Sequence, residues 1–134
     1  MIKEQYVSFE TAKLLKEKGF NERLLSFYIT DEVKKEGYFQ LMAFTDDKID
    51  NNHSDLCYLA PTQQMAMRWL REIHKLGVFP SSYTVILGSE TRHIYGTAII
   101  NLNKYELVTC DYLARDTYEE ATEAAIKYCL ENLI

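Results

Sequence analysis

Glycine is scarce in this chain, with five among 134 residues, and none of them forms the glycine-rich loop that cradles phosphates. Nucleotide binding by that device is excluded. Cysteine is scarcer: Cys57, Cys110 and Cys129 are an odd number without close spacing, so neither a disulfide framework nor a CxxC zinc site is indicated. Long apolar runs are missing as well, and no stretch approaches the ~20 residues a membrane helix needs. The opening Met-Ile-Lys-Glu-Gln-Tyr has no apolar h-region of a signal peptide. A cytoplasmic protein that does not engage membranes is therefore expected, and the sequon at Asn52-His53-Ser54 carries no meaning there. Positive charge is in deficit. With 15 Lys and Arg against 20 Asp and Glu, the net charge of −5 argues against broad binding to nucleic-acid phosphates. No linker, low-complexity tract or composition shift divides the chain, and a single domain over 1–134 is expected.

What the chain does have is material for a core. Its hydrophobic fraction of 47% argues against disorder. Ten Tyr and six Phe suit the pleated, half-buried face of a sheet. The clearest local signal closes the chain, from Asp116 to Ile134. Thr117 followed by Glu120 is a capping box, in which each side chain satisfies a backbone N–H left open by the first turn. Glu119, Glu120, Glu123, Lys127 and Glu131 then fall on one side of a helical wheel. Tyr118, Ala121, Ala125, Tyr128, Cys129 and Leu133 fall on the other, as in a helix lying on a core.

Earlier in the chain, residues 8–18 read as a helix with Ser8 as N-cap and Gly19 as its left-handed terminator. Thr11, Ala12, Leu14 and Leu15 form its inward face. Leu24 to Thr30 and Tyr38 to Phe44 read as an antiparallel strand pair. A polar loop from Thr45 to Asp55 and a short extended piece, Cys57 to Leu59, lead to Pro61 and a second helix. That helix is expected over Thr62 to Leu76, ended by Gly77, with Met65, Ala66, Trp69, Leu70, Ile73 and Leu76 facing inward. A three-strand meander follows: Tyr83 to Leu87, Tyr95 to Asn101 and Tyr105 to Cys110, with Gly88 to His93 as the first turn. The expected class is α+β, a two-layer sandwich of about five antiparallel strands with three helices on one face, in the order α-β-β-α-β-β-β-α. Tyr58-Leu-Ala-Pro-Thr62 and Tyr112-Leu-Ala-Arg-Asp-Thr117 echo one another, each introducing a helix after a strand pair. The echo suggests a strand-strand-helix duplication over 24–76 and 83–133.

The segments Tyr6-Val-Ser-Phe-Glu-Thr-Ala-Lys-Leu-Leu-Lys-Glu-Lys-Gly-Phe20, Tyr58 to Glu72, and Asp116-Thr-Tyr-Glu-Glu-Ala with Lys-Tyr-Cys-Leu-Glu-Asn-Leu carry a resemblance. They look like the corresponding parts of a group of small gut-bacterial proteins associated with prophages or other mobile elements. The resemblance implies a bacterial, phage-related origin. The group carries no established activity, so no site residue is transferred.

Candidate chemistries are few. Asp46, Asp50 and Asp55, in a loop that also holds Asp47, Asn51, Asn52 and His53, supply oxygen ligands for a hard cation. A calcium-binding loop also needs a central Gly and a closing Glu, both absent, so the expectation is a solvated loop and no metal. Cys110 with His93 and Asp111 is the best nucleophile, base and orienting-group combination, with Cys57, His53 and Asp55 the second. Neither set has a helix N-terminus to activate its thiol, and no catalytic residue is assigned. His74 borders the apolar stripe of the second helix, and Trp69 sits within it. Arg68, Arg71 and Lys75, spaced i, i+3, i+7, would put three cations on one helical face for phosphates or an acidic partner.

These features lead to a small cytoplasmic interaction or accessory module without catalysis and without cofactor. Its expected partner is a protein, another copy of itself included, met through an exposed aromatic strand edge. The alternative is a small-ligand binder or enzyme with a pocket between sheet and helices, lined by Tyr28, Tyr38, Tyr83 or Tyr95. A third reading is weak nucleic-acid or acidic-partner binding through the basic row.

Overall fold

The computed structural model describes residues 2–31, 33, 36–41 and 48–134, and the side chains of all of these except 111–114. The described elements run α1 (Phe9–Glu17), β1 (Ser26–Thr30), β2 (Gly37–Leu41), β3 (Cys57–Leu59), α2 (Gln63–Ile73), β4 (Leu76–Leu87), β5 (Glu90–Asn101), β6 (Glu106–Arg115) and α3 (Tyr118–Asn132). This is an α+β chain with antiparallel strands, as expected. The single five-stranded sheet is corrected to two three-stranded sheets, ordered β2-β1-β3 and β4-β5-β6. The reason lies in the short piece Cys57–Leu59. It is not a lead-in to a helix but a strand, and it takes the second edge of β1, making β1 central. Contacts gather the chain into two compact units, Met1–Met65 and Ala66–Ile134. Among the described residues, no helix is long and apolar enough to cross a membrane.

In the first unit, α1 starts where the sequence indicates. The Ser8 hydroxyl accepts the Thr11 amide, and the helix ends at a left-handed Gly19. The Phe20 amide reaches the Leu15 carbonyl and the Gly19 amide reaches that of Lys16, the two bonds of a Schellman motif. Phe20 and Leu15 are both fully buried, which supplies the hydrophobic contact that accompanies that motif. A chain of rings links Tyr6, Phe39, Tyr28, Phe9 and Tyr58, with neighbouring centroids 4.9–5.5 Å apart. A Cβ at Gly37 would overlap the Phe9 ring, so this position in β2 requires glycine for close approach.

Asn51 is the polar centre of this unit. It is 7% exposed, its Nδ2 donates to the Phe20 carbonyl, its Oδ1 accepts the Leu59 amide at 2.9 Å, and its own amide donates to Asn21 Oδ1 at 2.8 Å. One side chain thus ties the exit of α1 to β3. Lys16 makes a parallel tie, donating to the Ser54 and Cys57 carbonyls at 3.0 and 2.8 Å while lying over the Tyr58 ring.

In the second unit the expected meander is present, with longer strands. β4 begins at Leu76 and admits Pro80 because β4 is an edge strand. The turn expected over Gly88 to His93 is only two residues long, since Leu87 pairs with Glu90. Gly88 has φ 63°, and Ser89 is not in the left-handed region. Glycine at the first central position defines a type II′ turn, whose twist suits a hairpin, so the strand resumes at once. The helix α2 ends at Ile73 rather than Leu76. Lys75 takes the left-handed conformation (φ 56°) that glycine was expected to supply, and Gly77 lies inside β4.

α3 is capped by the Thr117 hydroxyl, which accepts the Glu120 amide at 3.1 Å. Its buried face is Ala121, Thr122, Ala125, Ile126, Cys129 and Leu130, a rotation from the stripe expected through Tyr118, Tyr128 and Leu133. The rotation is tolerated because the Thr122 hydroxyl bonds back to the Tyr118 carbonyl at 2.8 Å, which removes the cost of burying it. Burial pushes the Cys129 thiol up to about 12, as for a small inert hydrophobe.

Candidate functional site

α3 packs on the face of the second sheet that carries the odd-numbered residues of β5. Tyr95 of that face meets Tyr118 at the start of α3, edge to face at 6.5 Å. Further along, Thr97 and Ile99 form a floor, 3% and 2% exposed. Between this floor and the C-terminal half of α3 lies a cavity of about 590 Å³. Thr109, Cys110 and Arg115 of β6 wall one side, and Ala124, Ala125, Lys127, Tyr128 and Glu131 of α3 cover it. That volume is within the range of small-molecule sites.

Two sequence features keep the space open. α3 presents alanines at 124 and 125, where larger side chains would fill the gap. β6 is also irregular: Tyr95 pairs with Arg115 and Thr97 with Asp111, so residues 112–114 stand opposite Gly96 alone. A second slip falls between Ile99 and Ile100. Such bulges bend a strand and re-aim its side chains, and they recur beside binding sites.

The floor contains an anomaly. The buried polar side chains of Thr11, Ser26, Asn51 and Thr122 each hold a hydrogen bond. For the Thr97 hydroxyl no partner is found among the described residues, although Thr97 is nearly fully buried and lines the cavity. The Thr97 hydroxyl itself is not a buried unpaired atom; it opens on the cavity. It faces the same space as Arg115 and Lys127.

The expected site residues are placed differently. In β5, His93 pairs with Thr84 while Ala98 pairs with Cys110, so His93 and Cys110 stand five residues apart along the strand, about 16 Å at 3.3 Å per residue. The combination of Cys110, His93 and Asp111 is therefore not assembled, and the side chain of Asp111 is outside the described residues. Cys110 borders the cavity instead, out of phase with Thr97 and Ile99. His93 is exposed, its Nδ1 lying 3.5 Å from the Thr84 hydroxyl. Cys57 pairs with Ile29, and its carbonyl is held by Lys16.

Among the proposed metal ligands, Asp46 is outside the described residues. Asp50 turns its carboxylate to the Asn52 amide at 3.0 Å, and Asp55 is exposed. Among the described residues no group of three metal-ligating side chains converges. The basic row is broken as well. Arg68 pairs with Glu72 at 2.9 Å, and Lys75 lies beyond the helix with its ammonium on the Glu72 carbonyl. The four tyrosines of the expected aromatic pocket do not converge within either sheet. Tyr28 pairs with Phe39 and Tyr38 with Ile29, on opposite faces; Tyr83 and Tyr95 likewise alternate. The tyrosine that lines this cavity is Tyr128, expected in the core and 40% exposed. Thr97 carried no signal in the sequence, because a threonine in a strand is ordinary until its neighbours are known.

His74 follows α2 with its ring against the Trp69 indole at 4.6 Å, and its Nε2 is buried with no partner among the described residues. Burial lowers its pKa. Comparison with protein-family models, curated proteins and solved structures finds no match to this chain.

Proposed function

We propose that this protein is a non-catalytic small-ligand-binding module, and that the cavity between β5, β6 and α3 is its site. The observation that carries the reading is the cavity itself, about 590 Å³, with the Thr97 hydroxyl open to it and polar and apolar side chains sharing its lining. A hydroxyl open to the cavity gives a ligand's acceptor a donor to bind. The separation of Cys110 from His93 supports binding over covalent chemistry. The test is a backbone NMR titration of the full chain with a chemically mixed fragment library. The reading expects perturbed amides to cluster at residues 97–99, 109–110 and 124–131. Perturbations absent, or scattered over both units, would count against it.

A second reading, a protein-interaction module, is favoured by β2. It is an edge strand, and its Tyr38, Phe39 and Leu41 are 47%, 41% and 54% exposed. Such an edge accepts an added strand, from another copy or another protein. Sedimentation of the parent and of Phe39→Glu tests it: concentration-dependent association in the parent alone supports strand addition, and a parent that stays monomeric removes self-pairing. A cytoplasmic setting belongs to the proposal, since three free thiols suit a reducing compartment. So does an accessory role in a mobile element, supported by the sequence likeness only.

A further inference from the structure

We propose that the outer edge of β4 is the surface through which two copies of this chain pair, strand to strand, about a two-fold axis at Thr84. This surface is distinct from the cavity and from the β2 edge, and depends on neither. β4 and β5 pair from Leu76 with Asn101 to Leu87 with Glu90, whereas β6 pairs with β5 only between Tyr95 and Asn101. Residues 81–94 are therefore an arm of two strands, with no third strand beside them among the described residues. From Ser81 to His93 every residue except Val85 is exposed, with Ile86 at 75% and Leu87 at 56%. A two-stranded hairpin without a covering face is marginally stable in water, and an added strand removes that deficit.

Charge decides which edge of the arm takes the strand, and what the strand is. Leu76 to Ser89 is the longest run in the chain without a charged residue, so β4 lacks the charges that ordinarily keep an edge from pairing. The other edge of the arm carries Glu90 and Arg92. Two copies, each with a net charge of −5, repel over most of their surface and meet at least cost where both are neutral. A partner selected by charge would find nothing to read on this edge. Pro80 has no amide to donate and the turn at Gly88 ends the strand, so the segment free to pair is 81–87. Laid antiparallel on itself over its full length, that segment sets Thr84 opposite Thr84 of the second copy and Ile86 opposite Ser82. Two threonines form a favourable cross-strand pair. β6, the far edge of the sheet, begins at Glu106 and ends at Arg115, so pairing closes at two copies and does not run on into a filament.

The experiment is analytical ultracentrifugation of the full chain, with a dilution series followed by backbone NMR. It compares the parent, Thr84→Lys, Thr84→Glu and an equal mixture of those two variants. The parent is expected to sediment at twice the monomer mass and to shift the amides of residues 81–87 on dilution. Each variant, checked for a native spectrum, is expected to be monomeric at the same concentration, because like charges then face each other across the axis. Their mixture is expected to regain the dimer, as a pairing that sets residue 84 opposite itself requires. Three results would overturn the inference. One is a monomeric parent, which would leave this edge to a different protein. Another is a dimer that Phe39→Glu dissolves and Thr84→Lys does not, and the third is a mixture that stays monomeric.

Discussion

The two sheets deal with buried polar groups in opposite ways. In the first, Asn51 makes three hydrogen bonds, the Ser26 hydroxyl donates to the Ala60 carbonyl at 2.6 Å, and the Tyr28 hydroxyl reaches the Val7 carbonyl at 2.7 Å. All but the Leu59–Asn51 bond join segments at least 21 residues apart, so polar groups help to hold short strands together. In the second, β4 and β5 pair along their whole length and need no such ties. There the hydroxyl of the buried residue Thr97 opens on a cavity and has no described partner. Buried residues of the same type therefore carry two meanings: a bonded polar group reports architecture, and one that opens on a cavity marks a candidate site.

The comparison breaks most readily at Asn51. Asn51→Leu keeps the volume but strands the Leu59 amide and the Phe20 carbonyl, and should cost about 2–4 kcal/mol by urea denaturation. A loss below about 0.5 kcal/mol would mean that those groups are satisfied in another way. Next in size is a gain. Ala124→Leu places three more carbons in the cavity and should raise stability by about 1 kcal/mol after the cost of repacking, while abolishing ligand binding. Unchanged fragment-induced shifts in that variant would separate the ligand from the cavity.

A smaller effect depends on pH. The folded-state pKa of His74 lies below its usual 6.5 because burial disfavours the imidazolium. Between the folded and unfolded values the unfolded chain binds more protons, so stability rises with pH. The contribution is complete above about pH 6.5 and is lost as pH falls through the folded value. Unfolding midpoints measured from pH 7.5 to 5 should therefore decline more steeply in the parent than in His74→Phe. Parallel curves would show that the ring stays neutral for another reason or titrates without consequence.

Much of the local structure was legible in the sequence, because its causes are local. Ser8, Gly19 and Thr117 act on backbone groups within a few residues of themselves, and the structure uses each as expected. The meander was legible through its turns. The division into two sheets was not, since three residues, Cys57 to Leu59, make a strand only by finding β1. The end of α2 misled for a related reason. Gly77 is the conventional stop, but the bond from the Leu102 amide to the Lys75 carbonyl and the pairing of Leu76 with Asn101 hold Lys75 left-handed first. The site was least legible. Its floor, wall and roof come from β5, β6 and α3, and the space among them depends on bulges that alternation of residue types does not encode.

The most direct test of the account is the unfolding free energy of Thr97→Val, a change that keeps shape and removes only the hydroxyl. A hydroxyl that opens on the cavity without a bond contributes little to the stability of the folded protein, so the variant should match the parent within about 0.5 kcal/mol, and the fragment-induced shifts at residues 97–99 should weaken. A loss of about 1–2 kcal/mol with binding unchanged would show that the hydroxyl serves the fold, and would contradict the assignment of this cavity as the site.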